Sequence, residues 1–297
     1  MRKRIVVGIG TAAVAGIAAA RLRRALGGLV PDNGTFANGM EYARWGDGPR
    51  TALWIPGGPG SGVPAGSSAA MQGMQFKALI EAGFTVWQVT RRRNMPTGHS
   101  VADMADDYAQ LIADQFGGRV EVVVGISYGG MIAQYLAANH PRRMARVVLA
   151  LAAARVSDWG NDVDGRWAMA RAEGRMDDAG RIMAEYIFPE PSQQKVRAVV
   201  GPVMQKAFAG DHIPAGDLMV EAHAEVAFDA REILARIAVP VLIVAADEDM
   251  FFPPALIDET AALIPDCAVL RYEGLGHLRA GSSSRLARDI VDWVDGR

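Results

Sequence analysis

Cysteine occurs once in the 297 residues, at Cys267, so no internal disulfide can staple the fold and no thiolate cluster can hold zinc. Histidine is scarce as well: five in the chain leave a metal centre little to draw on and let each imidazole be weighed singly. An excess of one charge is also missing, since 33 acidic residues face 31 Lys and Arg for a net charge of -2. Affinity for a polyanion comes from clustered cations. The clusters here, Arg2 to Arg4, Arg21 to Arg24 and Arg91 to Arg93, are too short to define a nucleic-acid groove. No internal repeat occurs, and low complexity is confined to an Ala/Gly-rich leader. A chain that is 50% hydrophobic and 22% charged is globular, and long enough to bury a sizeable core.

The leader departs from this pattern. Met1 to Arg4 carry three positive charges, Ile5 to Ala20 carry none, and Arg21-Leu22-Arg23-Arg24 follows. That order belongs to export or membrane anchoring. A helix over the uncharged run spans about 24 Å at 1.5 Å per residue, short of a hydrocarbon core of about 30 Å unless the flanking arginines snorkel. Ala18-Ala19-Ala20 offers a small-residue cleavage site, yet the basic stretch behind it disfavours translocation. Residues 1–30 therefore read as a hydrophobic anchor or signal segment, touching a membrane through residues 5–20. An uncleaved anchor is preferred to cleaved export, and a soluble tail on a cytoplasmic protein is the third reading.

From Gly39 onward short apolar runs alternate with longer amphipathic segments, the pattern of an α/β protein with a mostly parallel central sheet flanked by helices. Strands are predicted at Glu41 to Arg44, Thr51 to Ile55, Phe84 to Val89, Val120 to Val124, Val147 to Leu151, Val241 to Ala245 and Val269 to Tyr272. The stretch from Val101 to Phe116 puts Val101, Met104, Ala105, Tyr108, Leu111 and Ile112 on one helical face, and Ser100 with Asp103 forms an N-terminal cap. Further helices are predicted at Ala70 to Ala82, Tyr128 to Asn139, Pro254 to Leu263 and Ser284 to Val294. Residues 155–236 break the alternation: they hold helical stretches and four prolines but no convincing strand run. Too long for a loop, they read as a helical cap inserted between core segments 31–154 and 237–297.

One corner carries chemistry. The strand from Val120 runs into Gly125-Ile126-Ser127-Tyr128-Gly129-Gly130 and then a helical pattern, which sets Ser127 on a strand-to-helix turn. Small residues two before and two after let strand and helix approach, and the hydroxyl then projects above the sheet edge near the first N-H groups of the helix. A serine hydroxyl needs a base. His277 follows a late strand within Gly274-Leu275-Gly276-His277 and is free to reach across the sheet edge. His140 precedes Pro141 and reads as structural, His99 as a turn residue, and His212 and His223 belong to the cap. The base in turn needs a carboxylate at its other nitrogen. Beyond the strand from Val241 come Asp247, Glu248 and Asp249; Asp249 is preferred to Asp247 because it lies furthest out, beside apolar Met250 and Phe251. Pro56-Gly57-Gly58-Pro59-Gly60 follows another strand and lets backbone N-H groups approach a substrate oxygen, with Gly58 and Tyr128 as the donor pair and Gly57 as the fallback.

Taken together, these segments resemble the α/β-hydrolase family, in particular its esterase-like and proline-iminopeptidase-like members with a helical cap. The resemblance covers about Gly39 to Trp293. It implies Ser127 as nucleophile, His277 as base, Asp249 as acid, and Gly58 and Tyr128 as oxyanion donors. Two departures stand out. Pro56 occupies the place where family members usually carry His, so a supporting hydrogen bond is lost; and Thr90 to Ser100 keeps only an arginine, one glycine and the terminal Ser of the family's Asp-x-Arg-Gly-x-Gly-x-Ser.

The expected reaction is hydrolysis of a carboxylic ester or lactone, a small-molecule substrate, through an acyl-enzyme on Ser127, with no metal and no organic cofactor. An aminopeptidase is the alternative and requires a cap carboxylate for the substrate ammonium; Glu173, Glu185, Glu190, Glu221 and Glu225 are candidates, although such acids usually form solvated helix faces. A ligand-binding protein with a silent triad is the remaining reading. The apolar cap residues Trp159, Trp167, Met169, Met176, Met183, Tyr186, Phe188, Met204, Phe208 and Met219 could make an acyl tunnel, but at helical spacing they more often pack the cap onto the sheet.

Overall fold

The computed structural model describes residues 29–208 and 213–296, and the side chains of all of these but 207 and 208. The run read as an anchor or signal, residues 5–20, lies outside the described residues, as does His212. Among the described residues no helix is long and apolar enough to cross a membrane.

Eight strands form one sheet in the order β1-β2-β4-β3-β5-β6-β7-β8: β1 Asp32–Thr35, β2 Glu41–Trp45, β3 Arg50–Ile55, β4 Phe84–Val89, β5 Val120–Ile126, β6 Met144–Ala150, β7 Val241–Ala246 and β8 Cys267–Tyr272. The pairs β1/β2 and β2/β4 are antiparallel and the other five are parallel. Central strands are buried on both faces, which is why they read as near-continuous apolar runs. Leu53, Val123, Val147 and Ile243 pack on one side with helices α3 Val101–Gln115, α4 Tyr128–Asn139 and α9 Pro254–Leu263. Trp54, Val122, Val148 and Leu242 face the other side, against α2 Lys77–Glu81 and α11 Arg285–Asp295, which α1 Gly66–Gln75 contacts in turn.

Most sequence-predicted elements recur within one to three residues of their expected ends, and the Ser100 cap forms, with Asp103 N-H donating to Ser100 Oγ at 3.1 Å. Three differ. The helix expected over Ala70 to Ala82 starts at Gly66 and breaks at Phe76, whose ring is wedged 5.1 Å from that of Trp45 and 4.8 Å from that of Trp54. Strand β1, of sequence Asp-Asn-Gly-Thr, has turn-like composition and exists because β2 offers it a ladder. His277 opens a five-residue helix, α10 His277–Gly281, rather than lying in a loop.

Between β6 and β7 the described residues form α5 Asp158–Ala172, α6 Met176–Met183, α7 Gln194–Phe208 and α8 Ala215–Val226, with short 3-10 turns and no strand. These helices share their own apolar cluster around Trp167, Met183, Met204 and Leu218. Helix α8 faces the core with Asp217, Glu221 and Glu225, spaced i, i+4, i+8 and all buried. The expectation of solvated helix faces thus fails for Glu221 and Glu225, because Arg91 of the core partners the first and Asp164 of the neighbouring cap helix α5 the second.

Candidate active site

Ser127 sits between β5 and α4 with φ 53° and ψ -120°, left-handed backbone that a side chain other than glycine rarely takes. Its neighbours explain how the corner closes. A Cβ at Gly125 would stand 2.3 Å from Gly129 O, and one at Gly129 would stand 2.1 Å from Ile55 O. Neither place can hold a side chain, so the glycine spacing is a steric requirement of strand, helix and the neighbouring β3.

Ser127, Asp249 and His277 come from the C-terminal ends of three different parallel strands, β5, β7 and β8, and meet above the sheet edge. His277 Nε2 lies 2.9 Å from Ser127 Oγ and its Nδ1 lies 2.7 Å from Asp249 Oδ2. Asp249 is 3% exposed, and its other oxygen accepts from Phe251 N-H at 2.9 Å and Phe252 N-H at 3.1 Å, which fixes the carboxylate in place. Asp247 is exposed, its N-H donating to Tyr272 O, so the choice between the two acids falls to Asp249 on geometry. The Phe251 ring lies tilted by 44° against the imidazole, 4.8 Å between centres. Burial disfavours the imidazolium, but the charge of Asp249 and its hydrogen bond, with a smaller push from Asp164, outweigh that and hold His277 above its ordinary pKa.

The loop Pro56 to Gly60 borders the same cavity as Ser127. A Cβ on Gly57 would stand at ordinary contact distance, 3.4 Å, from Ser127 Cβ, whereas one on Gly58 would stand 2.4 Å from Arg91 Nη2. Tyr128 is the first residue of α4, where a backbone N-H has no intrahelical acceptor. Its phenol points elsewhere, donating to Glu221 O at 2.9 Å.

Support for this loop comes from residues that sequence reasoning did not select. Arg91 Nη1 donates to Pro56 O at 2.7 Å and Nη2 donates to Gly57 O at 2.9 Å, while Nη2 also pairs with Glu221 Oε2 at 2.7 Å. Gly60 N-H donates to the same Glu221 oxygen at 2.5 Å. Both charged side chains are 1% exposed, and the guanidinium lies 4.7 Å from the centre of the Tyr128 ring. Burial opposes the charge of Arg91, but Glu221 overrides it and raises the pKa above the ordinary arginine value. The hydrogen bond missing with Pro56 is thus replaced by an arginine from the loop after β4 and an acid from the cap. The sequence carried one unspecific signal of the first: the loop Thr90 to Ser100 keeps an arginine of the family's pattern, with Arg91, Arg92 and Arg93 all present.

A second buried acid cluster lies behind the histidine. Asp164 of α5 and Glu225 of α8 share a hydrogen bond, and Tyr186 donates its phenol to Asp164. Desolvation pushes Asp164 up to about 7, and Glu225 is raised well above the ordinary carboxylate range by burial and by the charge of Asp164. The pair therefore keeps a proton at neutral pH.

The cavity over Ser127 has a volume of about 530 Å3 and is walled by Trp167, Met183, Tyr186 and Met204 from the cap, with Leu151 and Ile126 from the core. No Asp or Glu among the described residues borders it; Arg171, His277 and the phenol of Tyr186 are the ionisable groups among the described residues that do. Of the acids considered for an ammonium site, Glu173 pairs with Arg175, Glu185 with Arg166 and Arg197, Glu221 with Arg91 and Glu225 with Asp164, while Glu190 is exposed. His99 and His140 pair with Asp107 and Asp106 away from Ser127. Among the described residues there is no group of His, Cys, Asp and Glu able to hold a metal ion.

This fold and this corner define an α/β hydrolase. The chain belongs to the alpha/beta hydrolase fold family, whose model matches residues 55–279. Among named relatives it is 30% identical over 246 residues to RutD of Variovorax paradoxus, covering 77% of this chain and 88% of that protein, and 26% identical over 202 residues to RutD of Yersinia enterocolitica, covering 66% and 70%. Both carry the provisional name of carbamate hydrolase. Among solved structures it resembles the enol-lactonase of Burkholderia xenovorans, with TM-score 0.66 and 22% identity over 87% of this chain and 98% of that one. The esterase EaEST of Exiguobacterium antarcticum has TM-score 0.66 and 19% identity over 88% and 99%. At these identities the structural likeness establishes the fold.

Proposed function

We propose that this hydrolase cleaves a small carboxylic ester or lactone through an acyl-enzyme on Ser127. The observation that carries the reading is the continuous hydrogen-bonded chain from Ser127 Oγ through both nitrogens of His277 to buried Asp249. In this mechanism Ser127 Oγ attacks the carbonyl carbon as His277 Nε2 takes its proton. Asp249 holds the ring in one tautomer and stabilises the imidazolium. Negative charge on the carbonyl oxygen meets the backbone N-H groups of Tyr128 and Gly58, with Gly57 the alternative on the loop side. The leaving oxygen collects the proton from His277, and water attacks the acyl-enzyme by the same route in reverse.

The cavity's lining favours a neutral or anionic substrate over one with a free ammonium, because the cap acids are engaged elsewhere. That weighs against the aminopeptidase reading. A carbamate, with the same carbonyl at its centre, is the second reading, favoured by the names of the RutD relatives. The deciding experiment labels the protein with a fluorophosphonate and then offers p-nitrophenyl esters, lactones, a carbamate and an aminoacyl amide. Labelling at Ser127 with ester or lactone turnover is the expected result. Cleavage of the aminoacyl amide alone would make the protein a peptidase, and labelling with no turnover of any compound would favour a binding protein.

A further inference from the structure

Two helices that wall the cavity over Ser127 turn apolar side chains to solvent. Between Arg50 and Lys77 the sequence holds no charged residue, and α1 lies at the end of that stretch. Its Gln72 and Gln75 border the cavity, while Met71 and Met74 on the adjoining face are 59% and 57% exposed. The cap helix α7 lends Met204 to the same cavity. Its Val196, Val199 and Val203, spaced i, i+3, i+7, are 42%, 76% and 67% exposed. The charged residues of α7 are Lys195, Arg197 and Lys206, with no acid among them. Apolar residues grouped in this way, without acids, mark a contact surface.

The chain itself indicates what that surface meets. Leu29 lies across α1, so close that a Cβ on Gly73 would stand 2.2 Å from its carbonyl oxygen. Nine residues separate Leu29 from Ala20, where the uncharged run from Ile5 ends, and nine residues reach at most about 30 Å. A bilayer that held the run would therefore lie within reach of α1. Arg21, Arg23 and Arg24 fall in the connecting stretch, and Lys195 and Lys206 of α7 are exposed, so cations are at hand for anionic headgroups. Projecting apolar side chains backed by cations suit a lipid surface, which demands no fixed shape from its partner.

We propose that α1 and α7 form a lipid-binding rim that seats the cavity on an anionic bilayer, from which an apolar ester or lactone enters. The seating stands by itself; the reaction that follows rests on the acyl-enzyme reading above. The test uses the full chain with Cys267→Ser and one new cysteine, Met71→Cys or Val203→Cys, carrying the polarity-sensitive dye nitrobenzoxadiazole. Vesicles of phosphatidylcholine mixed with phosphatidylserine should brighten the dye and shift its emission to shorter wavelength at both positions. In otherwise unaltered protein, Met71→Asp combined with Met74→Asp should lower turnover of p-nitrophenyl palmitate dispersed in those vesicles by about tenfold or more, the loss expected when one such side chain is no longer buried. Turnover of p-nitrophenyl acetate in solution should stay at the wild-type rate. Unchanged emission at either position would overturn the proposal, since a leader that tethers the protein by itself leaves the rim in water. Wild-type turnover of the palmitate by the aspartate variant, or an equal fall on the acetate, would overturn it too. Shifted emission in a protein that cleaves neither ester and takes no label at Ser127 would uphold the lipid surface and bring down the acyl-enzyme reading.

Discussion

Replacing Glu221 by Gln tests whether the cap is part of the machinery or merely a lid. The amide keeps the shape and can still accept from Gly60 N-H, so what is removed is the negative charge facing Arg91 at 2.7 Å. With 1% of its side chain exposed, the guanidinium cannot recruit water in compensation. Stranding one member of a buried ion pair costs about 3–5 kcal/mol. At roughly 2–4 °C per kcal/mol for a large domain, that corresponds to a fall of about 6–20 °C in melting temperature. Urea unfolding followed by circular dichroism measures the same quantity as a lower midpoint at unchanged slope. The double variant R91M/E221L removes both charges at once and should recover most of the lost stability, since a buried pair replaced by apolar groups is often neutral. It should not recover activity, because Pro56 O and Gly57 O lose the donor that sets their loop; a shortfall of about 10²–10³ in kcat is the size expected for a misplaced oxyanion donor. A loss below about 1 kcal/mol in E221Q, or wild-type kcat in the double variant, would refute the idea that this pair fixes the loop.

Ser127→Ala should abolish fluorophosphonate labelling and lower kcat by about 10⁶ while leaving the fold intact, as circular dichroism would report. Asp249→Asn should cost about 10⁴ in kcat through loss of the tautomer that points the lone pair at Ser127. Because Asp249 also raises His277, the acid limb of kcat/KM should lie above pH 6.5 in the wild type and move to lower pH in that variant. Asp164, raised by burial to about 7 among Glu225, Tyr186 and His277, keeps a proton in the folded state that the unfolded chain has released above about 4. Its contribution to stability is therefore complete at low pH and is lost as pH climbs towards 7, with a limiting slope of about 1.4 kcal/mol per pH unit for one proton; urea midpoints of Asp164→Asn between pH 5 and 7 should fall less steeply than those of the wild type.

Much of the site is legible in one dimension because its requirements are local. The corner at Ser127 needs glycines at 125 and 129 for reasons of contact distance, and His277 behind its glycines and Asp249 beyond a strand end are each marked by their immediate neighbours. The parallel strands are equally plain, since burial on both faces leaves unbroken apolar runs. Where the reading failed, the cause lay in partners distant along the chain. β1 owes its existence to β2, the break at Phe76 to two tryptophans, and the burial of Glu221 and Glu225 to Arg91 and Asp164, residues 130 and 61 positions away.

The amino-acid order alone thus settled the fold class and singled out Ser127, His277 and the neighbourhood of Asp249, because backbone sterics and apolar periodicity are written in consecutive residues. Only the three-dimensional arrangement brought Asp249 rather than Asp247 to His277 and tied the loop after β3 to Arg91 and Glu221. Those outcomes depend on which groups meet after the cap has docked. A buried charge takes whatever partner the packing delivers, so no periodicity in the sequence records the choice.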